Sequence, residues 1–382
     1  MDGCSPVVVT AVDGGVAPVV DRPPTPYNAE EGSSCPPILS GGSSGNESHP
    51  LDGMPAVREG FRERGISAEG ADILMASWKP GTGKQYRPHI RRWSEFCDRW
   101  RVNSFTPGIS HVVNFLSETF HRNVGYEAVN TARSALSSLG IVVAGCRVGT
   151  HPLVVRFMKG VFNLRPPLPR YTETWDTQPV LNALQSMYPL HSLSLKDLTL
   201  KLVMLMALTQ AARVQTLHFL ILDGLCFEPG FTTLALGGNI KQCRPGFNVR
   251  SVRFQAYPKD IRLCVCETLR HYITRTEDLR QGTSQDRTSL LISFIKPHRA
   301  VSRDTVARWV KCMLNRSGVD TTKFSAGSVR PAAASKAKAL SVPISCIMAK
   351  AGWSQESTFA KFYDKTIIRP VDQFQEAVLQ CE

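Results

Sequence analysis

The sequence predicts a mainly α-helical protein with a small β-sheet, arranged as a helical N-terminal domain followed by a mixed α/β domain. Three observations support this class. Apolar residues recur at helical spacing over residues 57–164. A proline-rich break follows, and beyond it a group of short strand signals at 224–257 lies between further helical patterns. A chain of 382 residues is also long enough to bury two separate cores.

The first 56 residues differ in composition from the rest of the chain. They are rich in Pro, Gly and Ser and lack helical or strand periodicity, so we expect residues 1–56 to form a disordered tail. They hold seven acidic residues and one basic residue, a net charge of −6; with the whole chain at +13, the remainder carries +19. A folded region this basic favours an extended polyanion such as nucleic acid as its partner, and a solvated basic surface is the alternative.

Cysteine usage and hydropathy indicate the compartment. The eleven cysteines lack the pair-of-pairs spacing of a metal site, and no secretory leader opens the chain. The longest apolar block near the middle, Leu202–Leu208, is far shorter than the roughly 20 residues that span a bilayer. We therefore expect a soluble protein of the cytosol or nucleus that neither enters a membrane nor holds a metal.

Residues 57–164 predict a helical domain with a basic side. Apolar residues repeat at helical spacing in four stripes, of which the first comprises Tyr86, Ile90, Trp93, Cys97 and Trp100. Such stripes form cores far more often than binding motifs. The functional content therefore lies in the basic residues on the other faces, including Lys84, Arg91, Arg122 and Arg133.

A proline-rich segment separates the two domains. Its prolines lack backbone donors and favour extended backbone, so residues 165–172 are predicted to be a linker. The mixed domain, expected at 173–370, begins its strongly apolar helix with a capping pair, Ser194 and Asp197. That helix ends near Arg213, which follows two alanines and needs an anionic partner.

A short helical stripe and then strand signals follow this helix. The stripe comprises Val214, Leu217 and Leu220. Runs at 224–227, 231–236 and 249–257 then predict a small sheet. The connection between the last two runs reads GGNIKQCRPG and presents Lys241 and Arg244 on a turn.

The stretch 322–366 has the composition of a phosphate site rather than of a core. It combines many small residues with Arg330, a Gly-Trp turn at 352–354, and Tyr363 on a short predicted helix. An arginine offers forked donors that suit a phosphate. A weak apolar stripe predicts a further helix in the C-terminal tail, 371–382.

The order of these parts resembles the tyrosine recombinase (phage integrase-type) family. The segments AARVQTLHFL, NIKQCRPG, YPKDIRLCVCETLRHYI and AGWSQESTFAKFYDK are most similar to the recombinases encoded by DIRS-type retrotransposons. The resemblance covers about residues 70–366. It implies that the helical domain is a core-binding, SAM-like DNA-binding domain and that the mixed domain is the catalytic domain.

The resemblance also implies a catalytic set, which comprises Arg213, Lys241, Arg330, Trp353 and Tyr363. The family has a histidine three residues before its second arginine, and this chain has Gly327 there; Pro331 is a second departure. A glycine can neither transfer a proton nor contact a phosphate, so water or His298 would have to substitute.

The implied roles follow the chemistry of a phosphodiester. The two arginines would hold a non-bridging oxygen and stabilise the charge that grows there. Tyr363 would attack phosphorus, and Lys241 would protonate the leaving 5′ oxygen. Trp353 would support the pocket and donate through its indole nitrogen. The covalent link conserves bond energy, so the mechanism requires neither a nucleotide cofactor nor a metal.

The expected function is cleavage and rejoining of DNA strands through a 3′-phosphotyrosyl intermediate, for integration or excision of a mobile element's DNA in the nucleus. The expected partners are double-stranded DNA and further copies of the chain assembled on it. Two alternatives remain at this point. A decayed or repurposed relative would bind DNA without cleaving it, and a type IB topoisomerase-like enzyme would share the chemistry but normally needs a larger clamp.

Overall fold

The computed structural model describes residues 55–168, 171–243, 247–368 and 378–379. These form two compact units divided between Arg170 and Tyr171, here called the helical unit and the mixed unit. The predicted class, mainly helical with small sheets, is confirmed. Three predictions fall wholly or mostly outside the described residues: the acidic tail up to residue 54, Arg244, and most of the tail helix at 371–382.

The helical unit contains six helices and one short hairpin in its described part. The helices are α1 (Pro55–Arg62), α2 (Ala68–Ala76), α3 (Pro80–Trp100), α4 (Ile109–His121), α5 (Tyr126–Ser138) and α6 (Pro152–Leu164). The hairpin, β1 (Val142–Val143) and β2 (Cys146–Arg147), was missed because two-residue strands leave no periodic signal. The first helix begins at Pro55, two residues inside the predicted tail, and proline suits a first helical turn.

The core of the helical unit contains most of the predicted first stripe. Ile90, Trp93 and Cys97 are buried, and the indole nitrogen of Trp93 donates to the Ser104 carbonyl at 2.9 Å. The prediction was wrong for Trp100, which ends α3 with 53% of its surface exposed. Helical spacing alone does not reveal that a helix runs past the edge of the core.

The mixed unit surrounds one buried helix with a three-stranded sheet and further helices. Its helices are α7 (Gln178–Ser186), α8 (Leu195–Thr209), α9 (Val214–His218), α10 (Val265–Thr276), α11 (Ser284–Thr288), α12 (Arg303–Arg316), α13 (Val329–Ala339), α14 (Ile344–Ala351) and α15 (Glu356–Phe362). Its strands are β3 (Glu173–Trp175), β4 (Leu220–Glu228), β5 (Phe231–Leu236), β6 (Ser251–Gln255) and β7 (Thr366–Ile368). Leu220, predicted at the end of a helical stripe, instead begins β4 and pairs with Leu236.

Helix α8 is the centre of this unit. Its residues from Leu198 to Ala207 are all buried, and Ser194 caps it by accepting from the Asp197 amide at 3.0 Å, as predicted. Lys201 is buried among them because its ammonium donates to the carbonyls of Leu184 at 2.8 Å and Met187 at 2.6 Å. Burial lowers the pKa of Lys201 to about 8.

Two sheets position the segments that carry the candidate residues. Strands β4, β5 and β6 run antiparallel in chain order, so the long connection from β5 to β6 leaves one end of that sheet. Strands β3 and β7 pair in parallel, with Glu173 opposite Thr366. This pairing fixes the chain directly after Tyr363 to the first strand of the unit.

The described cysteines are all free thiols: Cys97, Cys146, Cys226, Cys243, Cys264, Cys266, Cys312 and Cys346. In the part of the chain that the structure describes, none of the helices has the length and apolar character needed to cross a bilayer.

Candidate active site

Arg330 lies at the centre of a small cluster in the mixed unit. It is the second residue of α13 and only 4% exposed. One terminal nitrogen donates to the Ala211 carbonyl and the other to the Ala351 carbonyl, both at 2.8 Å. Each carbonyl lies two residues before another predicted site residue, Arg213 in the first case and Trp353 in the second. A single buried guanidinium therefore joins the two turns that carry them.

Both of these turns end a helix. After α8, Ala211 adopts a left-handed conformation (φ 41°), and the Ala212 amide donates to the Ala207 carbonyl at 3.0 Å. After α14, Gly352 does the same (φ 68°), and the Trp353 amide donates to the Met348 carbonyl at 3.0 Å. Carbonyls at helix C-termini carry partial negative charge, so the Arg330 guanidinium is favourably placed between two of them.

Arg213 begins the next helix. It is the N-cap residue of α9, has extended backbone angles and is half-buried. The sequence placed it after a buried helix and at the start of another, and the structure does so. The constraint on its position comes from the left-handed turn at Ala211, whose carbonyl Arg330 holds.

Trp353 and Tyr363 pack against each other beside Arg330. Their ring centroids are 4.4 Å apart, and the Arg330 guanidinium lies 4.4 Å from the Trp353 ring and 5.2 Å from the Tyr363 ring. Trp353 is 6% exposed, and its buried indole Nε1 has no hydrogen-bond partner among the described residues. A buried donor without a partner is costly, so this nitrogen is suited to an acceptor that a ligand supplies.

Tyr363 lies one residue beyond α15, where the sequence predicted it on the helix itself. Its backbone is fixed from both sides. Ser335 of α13 accepts from the Lys365 amide at 3.0 Å and donates to the Tyr363 carbonyl at 3.0 Å, and Lys338 forms an ion pair with Asp364. Tyr363 itself is half-buried.

The cluster is closely packed because its helices carry small residues. Its buried members are Ala211, Ala334, Ile347, Ala351, Trp353 and Phe359. The alanine run after Arg330, interpreted from sequence as a poor core, lets α13 approach its neighbours closely enough for the guanidinium to reach two backbone carbonyls.

Lys241 lies on the connection between β5 and β6, as predicted, and its side chain is exposed. Its two neighbours are anchored. Ile240 is 3% exposed, and the Gln242 amide nitrogen donates to the Ala351 carbonyl at 3.2 Å, the same oxygen that Arg330 binds. The turn that carries Lys241 is therefore attached to the Arg330 cluster.

Gly327 lies in a single 3₁₀ turn, Ala326–Ser328, directly before α13. The turn is held by Trp175, whose indole donates to the Ser328 hydroxyl at 2.9 Å, and by Tyr171, whose hydroxyl lies 3.0 Å from that of Ser325. Gly327 itself is exposed, and a Cβ added there would meet only the Ser325 Oγ, at 3.8 Å. The site therefore has room for the side chain that the sequence lacks.

The structure also places Pro331, the second departure, and His298, the possible substitute for the missing histidine. Pro331 is the third residue of α13, within the first turn, where helical amides have no intrahelical partner and the missing N–H removes no bond. His298 lies in the loop before α12, where its Nδ1 is 2.9 Å from the Ser293 carbonyl. The hydrogen bonds and ring contacts of the described residues include none between His298 and the Arg330 cluster.

Two residues that hold the cluster were not identified from sequence. Ser335 has no signal beyond its place in a run of small residues five positions after Arg330. Gln242 follows Lys241 directly, but a polar residue on a predicted surface turn has no feature that indicates a contact with Ala351, 109 residues away. Both depend on tertiary structure.

The candidate polyanion contacts of the helical unit are distributed over three helices. Lys84 and Arg91 are exposed on α3, one heptad apart, and Arg91 pairs with Glu95 at 3.0 Å. Arg122 is exposed at the C-terminal end of α4, and Arg133 is half-buried on α5.

Comparison with known proteins adds a fold assignment. No family model and no curated protein sequence matches the chain. Among solved structures, the XerH site-specific recombinase bound to a palindromic difH substrate is similar with a TM-score of 0.53 and 13% identity, over 86% of this chain and 89% of that chain. The Tn1549 transposon integrase in complex with transposon right end DNA has a TM-score of 0.51 and 11% identity, over 84% and 96%. The chain has the tyrosine recombinase fold.

Within this tyrosine recombinase fold, contacts of the described residues connect the five predicted catalytic positions. Arg330, Trp353 and Tyr363 contact one another directly. Arg213 is connected through the Ala211 carbonyl, and Lys241 through its neighbour Gln242 and the Ala351 carbonyl.

Proposed function

We propose that this chain is a DNA recombinase that cleaves and rejoins strands through a 3′-phosphotyrosyl link to Tyr363. The observation that carries the proposal is the Arg330 cluster. A buried guanidinium lies 4.4 Å from the Trp353 ring and 5.2 Å from the Tyr363 ring, beside an indole donor that has no described partner. Solved structures of similar fold are described as recombinase and integrase complexes with DNA.

The proposed reaction is an exchange of ester bonds. The Tyr363 oxygen bonds to phosphorus as the bond from phosphorus to the 5′ oxygen breaks, the phenol proton passes to solvent, and Lys241 supplies a proton to the leaving oxygen. Arg213 and Arg330 stabilise the negative charge that develops on the non-bridging oxygens. The reverse attack by a 5′ hydroxyl rejoins the strands, so the exchange consumes no cofactor.

DNA binding is proposed to rest on the basic surface. The chain outside its first 56 residues carries +19, and Lys84, Arg91 and Arg122 are exposed on the helical unit. Half-buried Arg133 is the fourth proposed contact, and Arg244 remains a prediction from sequence. Phosphate contacts of this kind make affinity fall steeply with salt. The proposed substrate is double-stranded DNA of a mobile element in the nucleus, bound by more than one copy of the chain.

The experiment is covalent trapping on nicked DNA. The substrate is a library of nicked duplexes with randomised sequence. After cleavage, the short strand that carries the new 5′ hydroxyl diffuses away, so rejoining is prevented and the adduct accumulates. Adducts are counted on a denaturing gel, and their DNA is sequenced to identify the cleavage site. Wild type is expected to form adducts at moderate salt, whereas Tyr363→Phe binds DNA equally well and forms none. Adducts that persist in Tyr363→Phe would place the nucleophile elsewhere.

A second candidate function is favoured by Gly327, which has no side chain for proton transfer. A DNA-binding relative without cleavage activity would bind the same library and yield no adduct in wild type. Recovery of the adduct in Gly327→His would then identify the missing imidazole as the cause, whereas absence of DNA binding would contradict both candidates.

A further inference from the structure

We propose that Gln242 is a positioning residue that holds the Lys241 turn against the Arg330 cluster before DNA arrives. This inference rests on the proposed function, since it concerns the group assigned to protonate the leaving oxygen. The observation behind it is one shared acceptor, the Ala351 carbonyl, which receives hydrogen bonds from Gln242 at 3.2 Å and from Arg330 at 2.8 Å.

The contact is steric as well as polar. A Cβ added at Gly352 would lie 2.6 Å from the Gln242 amide nitrogen and 3.2 Å from its carbonyl carbon, so the side chain lies directly over this glycine. Gly352 also has φ 68°, a conformation that glycine adopts without strain. A glycine at this position therefore serves two purposes, which are ending α14 and leaving space for Gln242.

The orientation of the amide is fixed by its partner. A carbonyl oxygen accepts only, so the nitrogen of Gln242 must face Ala351. The Gln242 Oε1 is then buried and has no partner among the described residues. It lies beside the turn of Trp353, whose Nε1 is likewise buried without a described partner.

The consequence concerns Lys241. The preceding residue, Ile240, is 3% exposed, and the Cys243 amide donates to the Ile240 carbonyl at 3.0 Å, which closes the turn. Lys241 is thus the exposed residue between two anchored neighbours. A lysine on an untethered turn would sample many positions. Lys241 lies on a turn that is attached to the Arg330 cluster, so less freedom is lost when it engages the leaving oxygen.

The first test measures the tether without reference to activity. Hydrogen exchange at the Cys243 amide is compared in wild type, Gln242→Ala and Gln242→Glu, where the glutamate keeps the size and loses the donor. Loss of one hydrogen bond is expected to speed exchange roughly three- to tenfold in both variants. Gln285→Ala, an exposed glutamine of α11, is the matched control and should leave exchange unchanged. Unchanged exchange in both Gln242 variants would overturn the proposal.

The second test separates positioning of the acid from general damage. At the cleavage site found by trapping, the bridging 5′ oxygen is replaced by sulfur, whose thiolate leaves without a proton. Gln242→Ala is expected to lower cleavage of the oxygen substrate about three- to tenfold, the same factor as the tether and only part of what a general acid contributes, and to change sulfur-substrate cleavage less than about twofold. Lys241→Ala should show the same selectivity with a larger loss. An equal loss on both substrates in Gln242→Ala would overturn the positioning role.

The two tests distinguish failure of the proposed function from failure of this inference. If wild type forms no adduct on either substrate, strand cleavage by this chain is contradicted and the acid role falls with it, while the exchange result still decides whether Gln242 holds the turn. If Lys241→Ala lowers cleavage of the oxygen and sulfur substrates by the same factor, Lys241 is not the acid. Gln242 then has no acid to position at that residue.

Discussion

Two clusters of the mixed unit are built in opposite ways. Around α8 the buried residues are large and apolar; Leu198, Leu202 and Leu205 are at most 1% exposed. Around Arg330, three of the six buried apolar members are alanines, and a charged guanidinium lies among them. The first cluster is stabilised by apolar area removed from water, at about 25 cal/mol per Å². The second is held by hydrogen bonds to backbone carbonyls and by contacts between tilted aromatic rings.

This difference separates stability from chemistry. A large apolar core tolerates little change in volume but has no polar atoms to offer a substrate. A cluster of small residues brings backbone carbonyls within reach of one arginine, and that arginine then fixes the turns of Arg213, Trp353 and, through Gln242, Lys241. We therefore expect substitutions in the two clusters to change different measurements.

The largest expected effect is on cleavage when Arg330 is replaced by lysine. One ammonium cannot reproduce a planar fork that serves two carbonyls and a phosphate, so we expect adduct formation to fall about 10²- to 10³-fold. One carbonyl would lose its partner, and the free energy of unfolding should fall by about 1–3 kcal/mol. Trapping on nicked DNA and denaturant unfolding give the two values.

The matched substitution in the other cluster is Leu202→Ala. It should lower the free energy of unfolding by about 2–5 kcal/mol through lost burial and a cavity, with cleavage per folded molecule unchanged. The contrast between the clusters would break if Leu202→Ala reduced cleavage per folded molecule as much as Arg330→Lys does.

The next effect is a gain. Gly327 is exposed, lies outside the left-handed region and has space for a side chain, so Gly327→His is expected to fold normally. An imidazole beside Arg330 should supply a contribution that is missing, and adduct formation is expected to rise about 10- to 100-fold. Trapping rates with Gly327→Ala as the control isolate the imidazole from the added Cβ. Equal rates in wild type and Gly327→His would show that the site works without this group.

The fold class could be predicted from sequence because it depends on periodicity that the chain repeats many times. The apolar run of α8 with its Ser194 cap and the three strand signals each indicate one element, and each corresponds to what the structure contains. The errors lie at the ends of elements, as at Trp100 and Leu220, where local pattern does not define where a core stops.

The sequence proposes the candidate site as a set of residues but does not indicate their arrangement. Resemblance to a family supplied Arg213, Lys241, Arg330, Trp353 and Tyr363, whereas the contacts that join them run through backbone carbonyls. Every residue has a backbone carbonyl, so the sequence cannot indicate that those of Ala211 and Ala351 act as acceptors. Gln242 and Ser335 were missed for the same reason, since their partners are 109 and 28 positions away.

The smallest expected effect tests the indole nitrogen alone. In Trp353→Phe a ring contact with Tyr363 and with the guanidinium is kept, and only the Nε1 donor and part of the ring are lost. This donor is buried without a described partner, so removing it should change the free energy of unfolding by no more than about 1 kcal/mol. If it donates to the phosphate, adduct formation should fall about tenfold, the lower end of the range for a hydrogen bond to a charged group. Trp309→Phe, in the core around α8 and stacked on Phe294 at 5.2 Å, is the control and should leave cleavage per folded molecule unchanged. Equal cleavage in wild type and Trp353→Phe would reduce Trp353 to a packing residue and leave Arg330 and Arg213 as the proposed phosphate donors.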